Sequence, residues 1–452
     1  MMVSDTKMED AQEVIPNARR LIKSLRDIGY DFSTAIADLI DNSIEAGASR
    51  VDILVEFDGD SSFVRIADNG KGMSSDELKE AMRYGSERIY NEDDLGKFGL
   101  GLKTASMSQC QSFSVASRIS NETKNIAAFC WDLSHIEKTN KWEILPPKKK
   151  EILALLHDPL DEHIGTVVLW ERLDRILGFK HPYGESARKK LISMCRELED
   201  YLGMVFHKFL VNETAKQNLD IYLNWNKLKP WDPFARTEPE TKELSPIKVK
   251  LNHEGVSGKI LLQPYILPTK EEFSSSDAFK RASGPANWNQ QQGFYIYRAD
   301  RMIQSGGWCG IRTRDEHTKL SRIELNFSPI LDNAFKINVA KMRVQLPIQV
   351  KDEVEKAIIP AVRLAREHYD GKKKSPSNSS AQPKYSPPSQ DTNVSNKSAS
   401  SGFSGAPYGL ETPKFSFDEI EQKAIDIATE TEKPIITQLF QRLRKSLFGR
   451  DK

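Results

Sequence analysis

Residues 35–48, AIADLIDNSIEAGA, set Asp38, Asn42 and Glu45 at i, i+4 and i+7, the spacing that stacks side chains on one face of a helix. Ile36, Leu39, Ile40 and Ile44 cover the remaining surface. Such a helix can bury one side and offer an acid and an amide to a polar ligand on the other, although an ordinary acidic face turned to water has the same pattern. Asp41 lies about 60° from Asp38 around the helix, three residues at about 100° each, so it is a supporting candidate. Downstream, DNGKGM places Asp68 at the end of a strand-like run with Gly70 and Gly72 behind it. A carboxylate at a strand terminus can accept a hydrogen bond from an exocyclic amine, and missing side chains let a flat base approach the backbone. A plain turn would use the same residues. Further on, GKFGLGLK sets Gly96, Gly99 and Gly101 ahead of Lys103 and a run of small residues. Glycine loops entering helix N-termini present unpaired N–H groups to phosphate, and a lysine adds a point charge. The stretch cannot be aligned as a P-loop, and its glycines follow a polar loop instead of a strand, which excludes a Rossmann fingerprint.

The elements that would hold these residues follow from periodicity. The spacing predicts a helix over 17–30, with Leu21, Ile22, Leu25 and Ile28 as its stripe. RVDILVEF alternates as a strand, with Val51, Ile53, Val55 and Phe57 on one face. A turn at 58–60 leads to a second strand ending in the Asp68 loop. Ser74 and Glu77 stand at capping-box spacing before a helix carrying Leu78 and Met82. Three strand-like runs follow, QSFSVASRI, IAAFCWDL and HIGTVVLWERL, with Pro146 and Pro147 marking a solvated excursion between the last two. The final run opens on Gly165 and Thr166.

The chain of 452 residues is long enough for two or three domains. Its net charge of +1 supplies no global field that would select nucleic acid or a membrane surface. The polar N-terminus lacks a signal-peptide core, and no run reaches the ~18 apolar residues of a membrane span, so a cytoplasmic location is expected. Cys110, Cys130, Cys195 and Cys309 are scattered without a C-x-x-C pair, which points to free thiols and away from zinc or a disulfide framework.

Taken in order, these motifs resemble the GHKL superfamily, the ATP-binding fold of gyrase-type topoisomerases, heat-shock-protein-90 chaperones, histidine kinases and MutL, and most resemble MutL and the microrchidia (MORC) ATPases. ADLIDNSIEAGA resembles the N-box, ADNGKGM the adenine box, GKFGLGLK the phosphate lid and GTVVLW the closing Gly-Thr strand. The resemblance implies an α+β chain: a two-layer α/β sandwich (the Bergerat ATP-binding fold) followed by a transducer domain with a ribosomal-protein-S5-like fold. It implies ATP and Mg²⁺ as ligands, with Asn42 on the metal. Asp68, Gly70, Gly72 and Met73 would surround the base, and Thr166 would support Asp68. Gly99, Leu100, Gly101, Leu102 and Lys103 would close over the phosphates. The hydrolytic members carry glutamate four residues before the magnesium asparagine, and here Asp38 stands there. Aspartate can polarise a water as general base from one methylene further back, so slow turnover is expected and a non-hydrolysing switch is the alternative.

The expected division is an ATP-binding domain over 1–180, a connecting helix over 181–217, a transducer domain over 218–370, a disordered linker over 371–413 rich in Ser, Pro and Lys, and C-terminal amphipathic helices over 414–452. In the transducer, FYIYRADRMIQSGGW marks Arg298 and Arg301 as structural or interdomain residues. The resemblance implies a transducer lysine at the γ-phosphate, with Lys341 the first choice and Lys336 the second. An ATP-driven homodimer acting as a clamp is the expected assembly. DNA is one expected partner, and a protein client docked through the C-terminal helices is the other. A histidine kinase is disfavoured, because no helix-borne histidine with a dimerisation hairpin precedes the N-box.

Overall fold

The computed structural model describes residues 14–27, 29–85, 101–120, 125–178, 181–214, 218–337 and 344–371, together with Gln422 and Thr437. The chain divides into two compact units, Met1–Asn378 and Ser379–Lys452. All the elements below belong to the first. They run α1 (Ala18–Arg26), α2 (Phe32–Glu45), β1 (Arg50–Glu56), β2 (Phe63–Asp68), α3 (Ser75–Met82), α4 (Gly101–Gln109), β3 (Ser112–Arg118), β4 (Ala127–Asp132), α5 (Leu133–Thr139), α6 (Lys150–Glu162), β5 (Gly165–Glu171), α7 (Glu185–Val205) and α8 (His207–Leu210). There follow β6 (Asp220–Leu223), β7 (Asn226–Lys227), β8 (Lys242–Glu243), β9 (Ile247–His253), β10 (Val256–Ile266), α9 (Ser276–Ala282), β11 (Gly293–Arg298), β12 (Arg301–Ser305), β13 (Ser321–Phe327) and α10 (Ile348–Gly371).

The architecture is α+β, with two sheets. The first has seven strands in the order β4-β3-β5-β2-β1-β6-β7 and is antiparallel except where β1 meets β6. Alternation sends Val51, Ile53 and Val55 of β1 and Val64 and Ile66 of β2 into a core shared with Ile36, Leu39, Ile40 and Ile44 of α2. On β5, Val168 and Trp170 face this helical layer, while Val167 and Leu169 point the other way and pack on Leu156 and Leu160 of α6. Helix α6, for which the motif reading predicts no element, therefore covers part of the sheet's second face despite Pro159 within it.

The second sheet runs β12-β11-β13-β10-β8, with β9 also paired to β10 and a parallel pairing between β11 and β13. On β11, Phe294 and Ile296 pack with Val350, Val354, Ile358 and Val362 of α10. The alternate residues Tyr295 and Tyr297 join the larger core, which contains Phe206 and Phe209. This sheet is thus covered on both faces, by α10 and by the end of the α7–α8 region.

Several expectations shift. The helix over 17–30 ends at Arg26 and buries Ala18, Ile22 and Arg26, while Leu21 is exposed and Ile28 lies outside the described residues. The single helix expected beyond 183 breaks at Phe206 into α7 and α8. Residues 220–227, expected in the second domain, supply β6 and β7 to the first sheet. The amphipathic spacing over 353–369 predicts a helix kinked at Pro360, and α10 runs from Ile348 to Gly371 with Pro360 inside it. The linker and the C-terminal helices, Gln422 and Thr437 apart, lie outside the described residues.

Candidate functional site

Helix α2 is started by Asp31, whose side chain accepts from Thr34 N at 2.8 Å. Nearly all of it is buried, so the polar face suggested by sequence is not a solvated stripe. Asp38 and Asp41 are 3% and 1% exposed, while Asn42 and Glu45 are half-buried. The Tyr30 hydroxyl donates to Asp38 Oδ2 at 2.6 Å. Burial, then the Asp38 charge, holds that phenol far above its ordinary pKa, so Tyr30 remains a donor. Asp38 Oδ1 lies 3.8 Å from Arg301, and Asp41 Oδ1 lies 2.8 Å from Arg301 Nε. Gly101, the first residue of α4, sits directly over the acid, since a Cβ there would lie 3.4 Å from Asp38 Oδ2.

The other end of the site forms around Asp68, at the last position of β2. Its Oδ1 accepts from Gly70 N at 2.9 Å, and Ser43 Oγ, one residue beyond Asn42, donates toward Oδ2 at 3.0 Å. Burial pushes the Asp68 carboxyl up to about 6, and the bonds from Gly70, Ser43 and the Thr166 backbone only partly offset it. Thr166 is its direct neighbour across the β2–β5 ladder. Ser117 of β3 ties the rest together. Its hydroxyl receives Met73 N at 2.8 Å, reaches Gly165 O at 2.9 Å and lies 2.9 Å from Thr166 Oγ1.

Two glycines are required here by close approach. Gly72 has φ +68°, and a Cβ on it would fall 2.0 Å from Arg118 O. Gly165 has φ +147°, and its Cβ would fall 1.9 Å from Asp68 O. The loop 69–73 is anchored by Lys71 N to Ala46 O at 2.9 Å, just past the end of α2, so the base-side loop and the acid-bearing helix form one construction.

The structure therefore gathers Asn42, Asp68, Gly70, Gly72, Met73 and Thr166 around the junction of α2, β2 and β5, with Asp38 one turn along the same helix. Gly101 and Leu102 open α4 beside it. Lys103 faces elsewhere: it is buried, donates to Ala81 O at 3.0 Å, and is brought down to about 8 by burial, which Glu80 partly offsets. Gly99, Leu100 and Lys341 lie outside the described residues, and Lys336 has φ +47° in a turn after β13. Sequence reasoning missed Tyr30, Ser43 and Ser117, and took Arg301 as a structural or interdomain residue without linking it to Asp38 or Asp41. Ser43 had a local signal, since it adjoins Asn42 on a helix whose other face is apolar.

No group of three or more His, Cys, Asp or Glu side chains among the described residues could cage a metal ion. The amide oxygen of Asn42 suits Mg²⁺ instead, which usually keeps several waters and takes one or two protein oxygens plus substrate phosphates.

Residues 30–166 match the family described as histidine kinase-, DNA gyrase B-, and HSP90-like ATPase. The matched segment opens on Tyr30 and closes on Thr166, so it contains the site apart from Arg301. A DNA mismatch repair protein MutL of Shewanella baltica is 36% identical over 97 residues, which are 20% of this chain and 15% of that protein. MutL of Cellvibrio japonicus is 33% identical over 99 residues, 22% of this chain and 16% of the relative. The match thus spans about a sixth of the length of these curated relatives. Residues 30–166 are therefore a domain of the GHKL type.

Proposed function

We propose that the chain binds ATP with Mg²⁺, hydrolyses it slowly, and works as a nucleotide-gated dimeric clamp. The observation that carries this reading is the Asp68 cluster. A carboxylate positioned by Gly70 N and Ser43 Oγ is built to accept from an amine, and Gly72 lets the loop behind it close on the Arg118 backbone. Asn42, on the helix that supplies Ser43, would hold Mg²⁺, which when bound neutralises phosphate charge. The glycine stretch 96–101 would cover the phosphates, and Lys341 would reach them from the second domain. That domain, expected over 218–370 but without the strands of 220–227, is read as the S5-like transducer, supported by its mixed sheet and the covering helix α10.

Asp38 is the general base of this proposal. It stands one helical turn from Asn42, beneath the start of α4, where an attacking water would meet it. Turnover is slow because the carboxylate is one methylene short and buried. The same shortness supports the second reading, a non-hydrolysing switch. DNA is the proposed client, supported by the names of the MutL relatives, and a protein client docked on the C-terminal helices is its competitor.

Two experiments test the proposal. A non-hydrolysable ATP analogue with Mg²⁺ should convert monomer to dimer in sedimentation velocity, and Asn42→Ala should not respond. Duplex DNA should stimulate turnover less at high salt than at low salt, because phosphate contacts release counterions. A chain that stays monomeric with saturating analogue refutes the clamp.

A further inference from the structure

Arg298 and Arg301, three residues apart on the β11–β12 hairpin, are both buried, yet they are satisfied very differently. Arg298 grips Asp332 with two aligned bonds of 2.8 Å, Nε to Oδ1 and a terminal nitrogen to Oδ2. Arg301 is 1% exposed, and none of its three nitrogens makes an aligned hydrogen bond. Its Nε approaches Asp41 Oδ1 to 2.8 Å off the bonding direction, a terminal nitrogen stands 3.8 Å from Asp38 Oδ1, and the guanidinium lies over Phe206 at 5.7 Å. Burial opposes its charge, and Asp41, Tyr201 and Asp38 more than restore it. A buried ion pair without aligned hydrogen bonds is a poor source of stability. It does provide a cation shared between two acids of α2 by an element from outside the matched segment.

Resting on the reading of Asp38 as general base, we infer that Arg301 and Tyr30 are positioning residues for that acid. Tyr30 fixes Oδ2, and Arg301, drawn by Asp41, sets the surroundings of Oδ1. The second sheet thereby adjusts the acid directly: a hairpin shift of about an ångström moves the guanidinium between Asp41 and Asp38. Pairing with Asp38 would draw its lone pair away from water, and pairing with Asp41 leaves the acid able to take a proton. Neither residue touches ATP in this account.

The test uses the full chain and compares kcat at saturating Mg²⁺-ATP, affinity for a non-hydrolysable analogue, and the urea unfolding midpoint. Asp41→Asn removes the nearer partner, so Arg301 turns to Asp38. The expected result is a kcat about tenfold lower with analogue affinity within about twofold, a part of the ~10²–10⁴-fold that a positioned base contributes. Tyr30→Phe should also lower kcat severalfold without loss of affinity. Adding Arg301→Lys to Asp41→Asn should restore much of the loss, because an ammonium reaches less far than the guanidinium fork, and the two changes should be non-additive in the midpoint. Unchanged kcat in Asp41→Asn and Tyr30→Phe, with Asp38→Asn inactive, overturns this inference alone. Parallel losses of kcat, affinity and folded protein also overturn it, since they describe a purely structural cluster. If the wild-type chain shows no turnover, or Asp38→Asn turns over like wild type, the base assignment fails and this inference with it.

Discussion

Asp68 offers a test that does not depend on turnover. Its carboxyl sits near 6 because burial disfavours the charge more than Gly70, Ser43 and the Thr166 backbone favour it. An adenine amine needs the ionised form as acceptor, and with a pKa of about 6 that form falls from about 90% at pH 7 to about 10% at pH 5. If only the carboxylate binds the base, affinity should weaken about tenfold over that interval, or ~1.4 kcal/mol. The nucleotide's phosphates also take up protons in this range, so the informative quantity is the difference between wild type and Asp68→Asn. The assay is titration of a fluorescent ATP analogue with Mg²⁺ from pH 5 to 8, followed by polarisation. Asp68→Asn should bind more weakly at pH 7 and retain only the slope due to phosphate. Ser43→Ala removes a bond that favours the carboxylate, so its affinity loss should begin at higher pH. Equal slopes for wild type and Asp68→Asn would refute the placement of the base at Asp68.

Further outcomes follow from the same geometry. Because the folded pKa of Asp68 lies above its ordinary value, the stability it contributes is fully present below about pH 4 and is lost as pH rises through about 6. Without nucleotide, Asp68→Asn should therefore be more stable than wild type at pH 8 by about 3 kcal/mol, read as a higher melting temperature, and unchanged at pH 4. Gly72→Ala adds a strained positive φ and a 2.0 Å clash with Arg118 O, so calorimetry should show a much lower melting temperature and titration no nucleotide binding. Ser117→Ala leaves Met73 N without its acceptor, which should cost about 1–3 kcal/mol in urea unfolding and weaken analogue binding. Asp332→Ala removes the carboxylate that makes two 2.8 Å bonds with the buried Arg298 guanidinium and should cost about 3–5 kcal/mol, a loss read from the urea midpoint.

What the sequence made legible is local. The Asp68-Gly70-Gly72 turn, the Ser74–Glu77 capping box and the alternation of β1 and β2 each lie within a few residues, where spacing dictates geometry. The capping box forms as expected, with Ser74 N to Glu77 Oε2 at 2.7 Å and Glu77 N to Ser74 Oγ at 3.3 Å. The contacts that give the site its character join distant segments. Ser117 meets Thr166 only because β3 and β5 pair in that register, and Arg301 meets Asp41 only because the second sheet packs where it does. The alternation over 220–223 reads as a strand, but its place beside β1 was not legible, because the two segments lie far apart along the chain. Lys103 looked like a phosphate ligand by motif, but its own helix buries it and turns it toward Ala81.

The central claim is that Asp38 takes the proton from water while Asn42 and Asp68 hold the nucleotide. The direct measurement is steady-state ATP turnover of wild type and Asp38→Asn beside analogue affinity for each, with Mg²⁺ present. The account predicts slow turnover in wild type, none above background in Asp38→Asn, and affinities equal within about twofold, as for a group engaged only in the transition state. Undiminished turnover in Asp38→Asn would contradict it.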